Sequence, residues 1–342
     1  MSKEFKKVKS EELINFATNV FQFYGLNYNN SRLWSEVLVW ANLRGVDSHG
    51  VLRIPLYTEY LEKGIINSDP NLRLNQLSGA IARLDSDLAP GPVALKEGME
   101  VAISKAEEFN LGWCAISNMT HAGAVGFFSL LASKKGFAGI VMTASQPMMA
   151  YPGTHENVVS TNPIAISIPG NLNPPLLLDM STSTVGMGKV LQARDSGEKI
   201  PNDWGLDNRG NPTTDPNELN VLSPLGGAKG AGLSLMIECL TSLAVNNPII
   251  EPVLRTGAPL SGRPINGVAI ALDISMFGKK DLVKKQVDDL VKQYQTGTAD
   301  GEASIMKIIE KIKTAGKGKK YDCILGVSGG TDSSYMVYWA VQ

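Results

Sequence analysis

Histidine and cysteine are scarce in this chain, with three of each among 342 residues. Cys114, Cys239 and Cys323 stand far apart in apolar stretches (GWCAI, IECLT, YDCIL). That spacing excludes a disulfide framework or a thiolate metal site and reads as buried thiols in a reducing compartment. Neither sign of charge is in excess: 32 Lys and Arg face 33 Asp and Glu, so no field gathers nucleic acid or an anionic membrane. No apolar run reaches the ~18 residues of a membrane span. The opening MSKEFKKVKSEEL lacks the apolar centre of a signal peptide. These absences lead us to expect a cytoplasmic protein with no metal, nucleic-acid or membrane partner. Glycine, by contrast, is plentiful: 34 residues, many in short polar loops where a backbone can approach a ligand closely.

Along the chain, residues 10–64 read as helices. Leu13, Phe16, Ala17, Val20, Phe21 and Tyr24 recur at helical spacing before Gly25. Leu33, Val37, Trp40 and Ala41 share a second face, and Pro55 sits near the start of a third helix. From about residue 75, short β-type runs at 112–117, 139–145, 163–169, 175–179 and 267–274 alternate with helical stretches near 92–109, 121–136 and 229–245. The expected organisation is a helical domain over 1–75, completed by an amphipathic helix at 280–295, an α/β domain over 76–278, and a separate piece over 296–342.

A side chain titrating near neutrality suits proton exchange with a carbonyl or alcohol oxygen. His49 lies in RGVDSHGVLR, with Asp47 and Ser48 beside it and Arg44 and Arg53 on either side. Guanidinium groups clamp carboxylates bidentately, so this loop suits a 2-oxo acid. On the residues alone, a helix-connecting loop that satisfies backbone carbonyls is an equal alternative. His121, in SNMTHAGAVGFF, follows a strand and opens a helix, a place for a planar ligand or simply for a cap. His155 reads as a solvated loop residue. In LLLDMSTSTVGMGKV (176–190) a strand ends at Asp179 before a run of hydroxyls. In LSPLGGAKGAGLSLMIECL (222–240) a glycine turn with Lys229 leads into a helix, where backbone N–H groups can hold phosphate. Neither is a Rossmann fingerprint or a Walker loop.

Together these segments resemble the type-2 malate/L-lactate dehydrogenase-like oxidoreductases. RGVDSHGVLR, THAGAVGFF, STNPIAISIP, LLLDMSTSTVGMGK, IPNDWGLDNRGNPTTDP and PLGGAKGAGLSLM occur in that family's order across about residues 5–295. The resemblance implies a non-Rossmann two-domain α/β fold, a helical domain packed on a mixed-sheet domain, and homodimers. It places the proton donor/acceptor on His49, with Ser48, Arg53 and His121 in the substrate pocket. Cofactor contacts fall on Leu178, Asp179, Met180, Ser181, Thr182, Ser183 and Thr184, and on Ala228 and Lys229. Thr161, Asn162 and Pro163 match the segment where cofactor and substrate regions meet. Two features depart from the family pattern: Thr120 stands where members carry Asn, and no Pro-Gly-Glu-like cofactor loop follows Tyr294.

Beyond residue 300 the tail resembles the entry to an ATP-pyrophosphatase (PP-loop) domain of the N-acetyl sugar amidotransferase kind. Ser328, Gly329, Gly330, Asp332, Ser333 and Ser334 match its SGGxDS signature, with a helix expected to follow. A truncated fragment without amidotransferase activity is the expectation.

The reading that results is an NAD- or NADP-dependent oxidoreductase moving a hydride to or from a small 2-oxo/2-hydroxy acid, with Arg44 or Arg53 holding the carboxylate. Alternatives are a diketo-sugar-acid or cyclic-imine reductase on the same fold, or an inactive fusion fragment carrying a partial ATP loop.

Overall fold

The computed structural model describes residues 8–260, 262–296, 325–326 and 334–337. Three helices open the chain: α1 (Ser10–Phe23), α2 (Tyr28–Leu43) and α3 (Ile54–Glu62). Gly25 ends the first turn region at φ +95°, a conformation that costs other residues strain, and Asn27 caps α2 by accepting from the Asn30 N–H. The helices bury their own core, in which Phe21 stacks on Trp34 at 4.3 Å and Trp34 meets Tyr57.

The rest is α/β. Its elements are β1 (Arg73–Ser78), β2 (Ile81–Asp85), α4 (Gly91–Phe109), β3 (Leu111–Met119), α5 (Gly126–Lys134), β4 (Ala138–Ala144), β5 (Ile164–Ile168) and β6 (Leu176–Met180). They are followed by α6 (Met187–Ser196), the short β7 (Gly205–Leu206) and β8 (Val221–Leu222), α7 (Ala228–Thr241), α8 (Ile250–Thr256), β9 (Ile265–Leu272) and α9 (Lys280–Thr296). Two tail strands, β10 (Leu325–Gly326) and β11 (Ser334–Val337), complete the set. The main sheet runs β1-β2-β3-β9-β4-β5-β6-β11-β10. Among the described strands of this sheet only β2 and β3 pair in parallel; β9 lies antiparallel between β3 and β4.

Helices cover both faces of the sheet's centre. Ala269 and Ala271 of β9 join the core beneath α4 and α5, while Val268 and Ile270 turn to Ile237 of α7. This period-2 division explains why β9 is apolar throughout. The stretch Ala228–Val245 is long and apolar enough to cross a membrane by length and composition alone, a property the sequence reading did not expect. The Ile237 side of this stretch is core.

Helix α9 does not complete the helical domain. It docks on the α/β layer instead: Asp288 accepts from the N–H groups of Asn171, Leu172 and Asn173, and Lys280 lies over Phe137. The α/β part also begins earlier than expected, at Arg73. In the tail, Ser334 opens a strand paired with β6 rather than the expected helix; Ser328, Gly329, Gly330, Asp332 and Ser333 lie outside the described residues.

Candidate active site

The loop from α2 to α3 is two 3-10 turns, Asp47–His49 and Val51–Arg53. The Asn42 side chain ties them, donating to Asp47 Oδ1 at 2.5 Å and accepting from the Val51 N–H at 2.9 Å. A Cβ on Gly50 would collide with that amide, so the loop is closed around it. Arg53 Nε donates to the Ser48 carbonyl at 2.7 Å, leaving its terminal nitrogens without a hydrogen-bond partner among the described residues. Ser48 Oγ lies 3.0 Å from His49 Nδ1.

β3 delivers the second imidazole. His121 lies two residues past its end at Met119 and stacks on His49, with ring centroids 5.7 Å apart at 27°. Its Nδ1 takes two donors: the Gly123 N–H at 3.3 Å and, at 2.7 Å, the hydroxyl of Tyr57. An atom that accepts a backbone N–H carries no proton, so His121 holds its proton on Nε2. Burial, reinforced by Arg53, pushes His49 down to about 4. Burial, with His49 and Arg53 adding to it, pushes His121 down to about 3. Both imidazoles are therefore neutral at pH 7. Burial also raises the Tyr57 hydroxyl, keeping it a donor.

Arg44 stands apart from this group. Its guanidinium lies 3.7 Å from the centre of the Trp40 ring, and burial lowers it to about 10 against the opposing charge of Asp179. Asp179 accepts from the Gly126 N–H at 2.9 Å, at the start of α5; burial raises it to about 6 despite that bond and Arg44. A Cβ on Gly126 would come within 2.6 Å of Asp179 Oδ2, so only glycine admits the carboxylate. Arg44, at the end of α2, and Asp179, in β6, thus oppose each other's charge, and Arg44 packs on Trp40.

The remaining predicted segments converge on one another. Thr182 N–H donates to the Thr161 carbonyl and Leu225 N–H to the Thr182 carbonyl. Asn162, fully buried, accepts from the Ser145 N–H and donates to the Ser234 carbonyl in α7; Pro163 leads into β5. Ser181 and Ser183 bond to each other and to the backbone, and Thr184 reaches the Pro224 carbonyl. Leu178, Asp179 and Met180 lie within β6. Gly188, in the first turn of α6, packs directly on Ser48, so this cluster abuts the His49 loop. His155 is exposed beside Gly210.

A nicotinamide dinucleotide fits these residues on two observations. The Thr182 hydroxyl is fully buried with no hydrogen-bond partner among the described residues. Gly226 and Gly227 turn at φ +58° and +66° into α7, whose first-turn N–H groups on Ala228 and Lys229 have no intrahelical acceptor. Phosphate is the ligand such a turn favours, and the Lys229 ammonium adds to it. Among the described residues no group of three or more His, Cys, Asp and Glu could hold a metal ion.

A neutral imidazole pair, a guanidinium and a glycine turn outside any Rossmann frame define a non-Rossmann dehydrogenase. The chain belongs to the malate/L-lactate dehydrogenase family, which it matches over residues 8–310. It is 35% identical to the ureidoglycolate dehydrogenase (NAD(+)) of Escherichia coli, covering 84% of this chain and 82% of that one. It is also 35% identical to the malate/(S)-sulfolactate dehydrogenase of Methanothermus fervidus, over 90% and 92%. Among solved structures, the sulfolactate dehydrogenase of Methanocaldococcus jannaschii superposes with a TM-score of 0.73 at 33% identity, covering 84% of this chain and 83% of that one.

Residues that sequence reasoning missed are Tyr57 and Asn42. Tyr57 falls on the apolar face of α3 and reads as core; Asn42 reads as an ordinary helix-end residue.

Proposed function

We propose that the chain reversibly reduces a small 2-oxo acid with NADH or NADPH, exchanging the proton through the His49–His121 pair. It is a 2-hydroxy acid dehydrogenase that uses NAD or NADP. The observation that carries the assignment is the stacked, neutral imidazole pair beside Arg53. A nicotinamide bound on the cofactor side would supply the hydride, and the protein supplies orientation and the proton. Arg53, pinned through Nε to the Ser48 carbonyl, offers its terminal nitrogens to the substrate carboxylate. His49 was the sequence's choice of acid/base, and the geometry moves weight to His121. Its tautomer is set by Tyr57 and Gly123, so its Nε2–H is a fixed hydrogen-bond donor for the substrate oxygen; as that proton passes to the oxygen, Nδ1 takes the Tyr57 hydroxyl proton, which solvent restores to the tyrosine. The His49 ring, bonded to the adjacent Ser48, packs on its face and adds to the burial that keeps it neutral.

Thr161 to Pro163, Ser181 to Thr184, Ala228 and Lys229 form the cofactor side of this reading, with the Thr182 hydroxyl and the α7 start as its polar contacts. Leu178, Asp179 and Met180 support that side from within β6. A homodimer is supported by the exposed Leu233, Met236, Leu240, Leu243 and Leu254 on α7, α8 and the turn between them, an apolar face opposite the core side of α7. A cytoplasmic site agrees with the free thiols Cys114 and Cys239. For the tail, the proposal is a segment without nucleotide chemistry. Micromolar ATP binding that depends on Asp332, measured by calorimetry, would overturn it.

The test is an initial-rate screen of oxaloacetate, pyruvate, sulfopyruvate and diketogulonate with both reduced cofactors, followed at 340 nm, beside a fluorescence titration of NADH. Saturable NADH binding with turnover of one 2-oxo acid supports the reading. Absence of NADH binding identifies an inactive family member.

A further inference from the structure

His121 is held by its main chain as firmly as by its ring, and the holding group is the residue before it. Where β2 and β3 end, their trailing segments run on side by side, joined by a short ladder. Ser86 N–H donates to the Ser117 carbonyl at 2.9 Å, Leu88 N–H to the Asn118 carbonyl at 2.7 Å, and Thr120 N–H to the Ala89 carbonyl at 3.0 Å. Thr120 adds a second bond to the same acceptor, its hydroxyl donating to the Ala89 carbonyl at 3.0 Å. The ladder keeps three non-glycine residues left-handed: Asp87 at φ +51°, Leu88 at +58° and Asn118 at +58°. Each is a conformation that persists only where surrounding contacts impose it.

Asp87 and Asp85 supply those contacts. Asp87 Oδ2 accepts from Asn67 Nδ2 and the Asn71 N–H, and Asp85 Oδ1 accepts from Asn118 Nδ2. Two residues past the ladder, Gly91 begins α4 so close to the His121 carbonyl that a Cβ would collide with it. The start of α4 is thus a platform under His121, and Thr120 is the clasp that fastens the strand to it. The clasp is almost fully buried, and among the described residues its hydroxyl bonds to the Ala89 carbonyl alone.

We propose that Thr120 is a positioning residue for proton transfer, fixing the height and tilt of the His121 ring by double anchorage of residue 120 to the Ala89 carbonyl. The inference rests on the reading of His121 given above. If the anchor loosens, the His121 backbone rises from α4, the short Tyr57 contact to Nδ1 lengthens, and the imidazole no longer holds one tautomer. Substrate and cofactor binding belong to Arg53 and the 182–229 turns, which the anchor does not touch.

Thr120→Val removes the hydroxyl and keeps the shape; Thr120→Ser keeps the hydroxyl. With the best 2-oxo acid, T120V is expected to lose about tenfold in kcat with KM and NADH affinity within twofold of the parent, and T120S to retain at least half of kcat. The chain has only three histidines, so nitrogen-15 spectra of the imidazoles, assigned with H49N and H155N, read the tautomer directly. At pH 7 the parent should show His121 protonated on Nε2 alone, and T120V should show averaged shifts. Should T120V fail to fold, Thr120→Ala carries the same expectations. A T120V protein that keeps both the parent kcat and the pure Nε2 tautomer overturns the proposal. His121→Asn separates the two levels: if H121N turns over normally, the reading of the site fails, whereas an inactive H121N beside a fully active T120V removes Thr120 alone.

Discussion

Gly188 of α6 and Ser48 of the imidazole loop touch so closely that no side-chain carbon fits between them. The contact joins the hydroxyl-rich segment after β6 to the loop that carries His49, two stretches 140 residues apart by their numbers. Gly188→Ala therefore pushes on Ser48 and, through it, on His49 Nδ1 and Arg53 Nε. A displacement near 1 Å at a reacting group costs about 100-fold in rate. We expect G188A to lose that order of kcat/KM while its circular dichroism stays that of the parent. Steady-state kinetics with parent-like activity would show that the two loops are not coupled.

Tyr57→Phe removes the hydroxyl from His121 Nδ1 and leaves the Gly123 N–H as its only donor. Positioned proton transfer contributes about 10²–10⁴-fold, and loosening one of two tautomer contacts should forfeit about tenfold of it. The loss should appear in kcat, with NADH affinity from fluorescence titration unchanged. A Y57F enzyme with weakened NADH binding and intact kcat would contradict this role.

The imidazole pair also shapes stability against acid. Both folded values, about 4 and about 3, lie below the ordinary 6.5, so between these limits the unfolded chain binds more protons than the folded one. Stability is full above pH 6.5 and falls as pH drops toward 4. Asp179 runs the other way, because its folded value is raised to about 6 and acidification through that range favours the folded form. Two imidazoles outweigh one carboxyl. Thermal melts from pH 7 to 4.5 should show a declining midpoint for the parent, a shallower decline for H121N and a steeper one for D179N. An H121N curve parallel to the parent would disprove the linkage.

Asp288 anchors α9 through the N–H groups of residues 171–173. Burial would raise its carboxyl, but those N–H groups and the Asn173 amide outweigh it and hold the group below the ordinary value. Its contribution is present above the unfolded value and is lost as pH falls through the folded one. Asp288→Ala removes the charged acceptor from those N–H groups, a cost of about 1.5–3 kcal/mol. Urea unfolding at pH 7 should show that loss, with kcat unchanged because α9 does not touch the imidazole site. A D288A protein as stable as the parent would remove the anchor.

Much of this architecture is legible in the chain because its signals are periodic. The faces of α1 and α2 and the apolar runs of β3 to β6 and β9 announce themselves by spacing, and glycine-rich turns mark where the backbone must come close. What escapes has no period. β1 (RLNQLS) is exposed at all six positions, so no alternation betrays it. α6 has glycine on either side of its first residue and carries charges, hiding its contact with Ser48. Asp288 sits among other charged residues of α9, and only the fold shows that it alone turns inward. Arg44 and Arg53 look equivalent in sequence; the Trp40 ring and Asp179 decide which of them is already engaged. Tyr57 passes for core because its ring is core, and only its hydroxyl does something else.

Since β9 is the last of the central strands to be made yet lies between β3 and β4, a ribosome must release about 120 residues beyond β4 before the gap it fills can close. Until then two strand edges stand open in the nascent chain, each a template for pairing with the wrong neighbour. Refolding should accordingly be slow, governed by distant contacts, and a chain stopped before Ile265 should aggregate rather than accumulate as a soluble half.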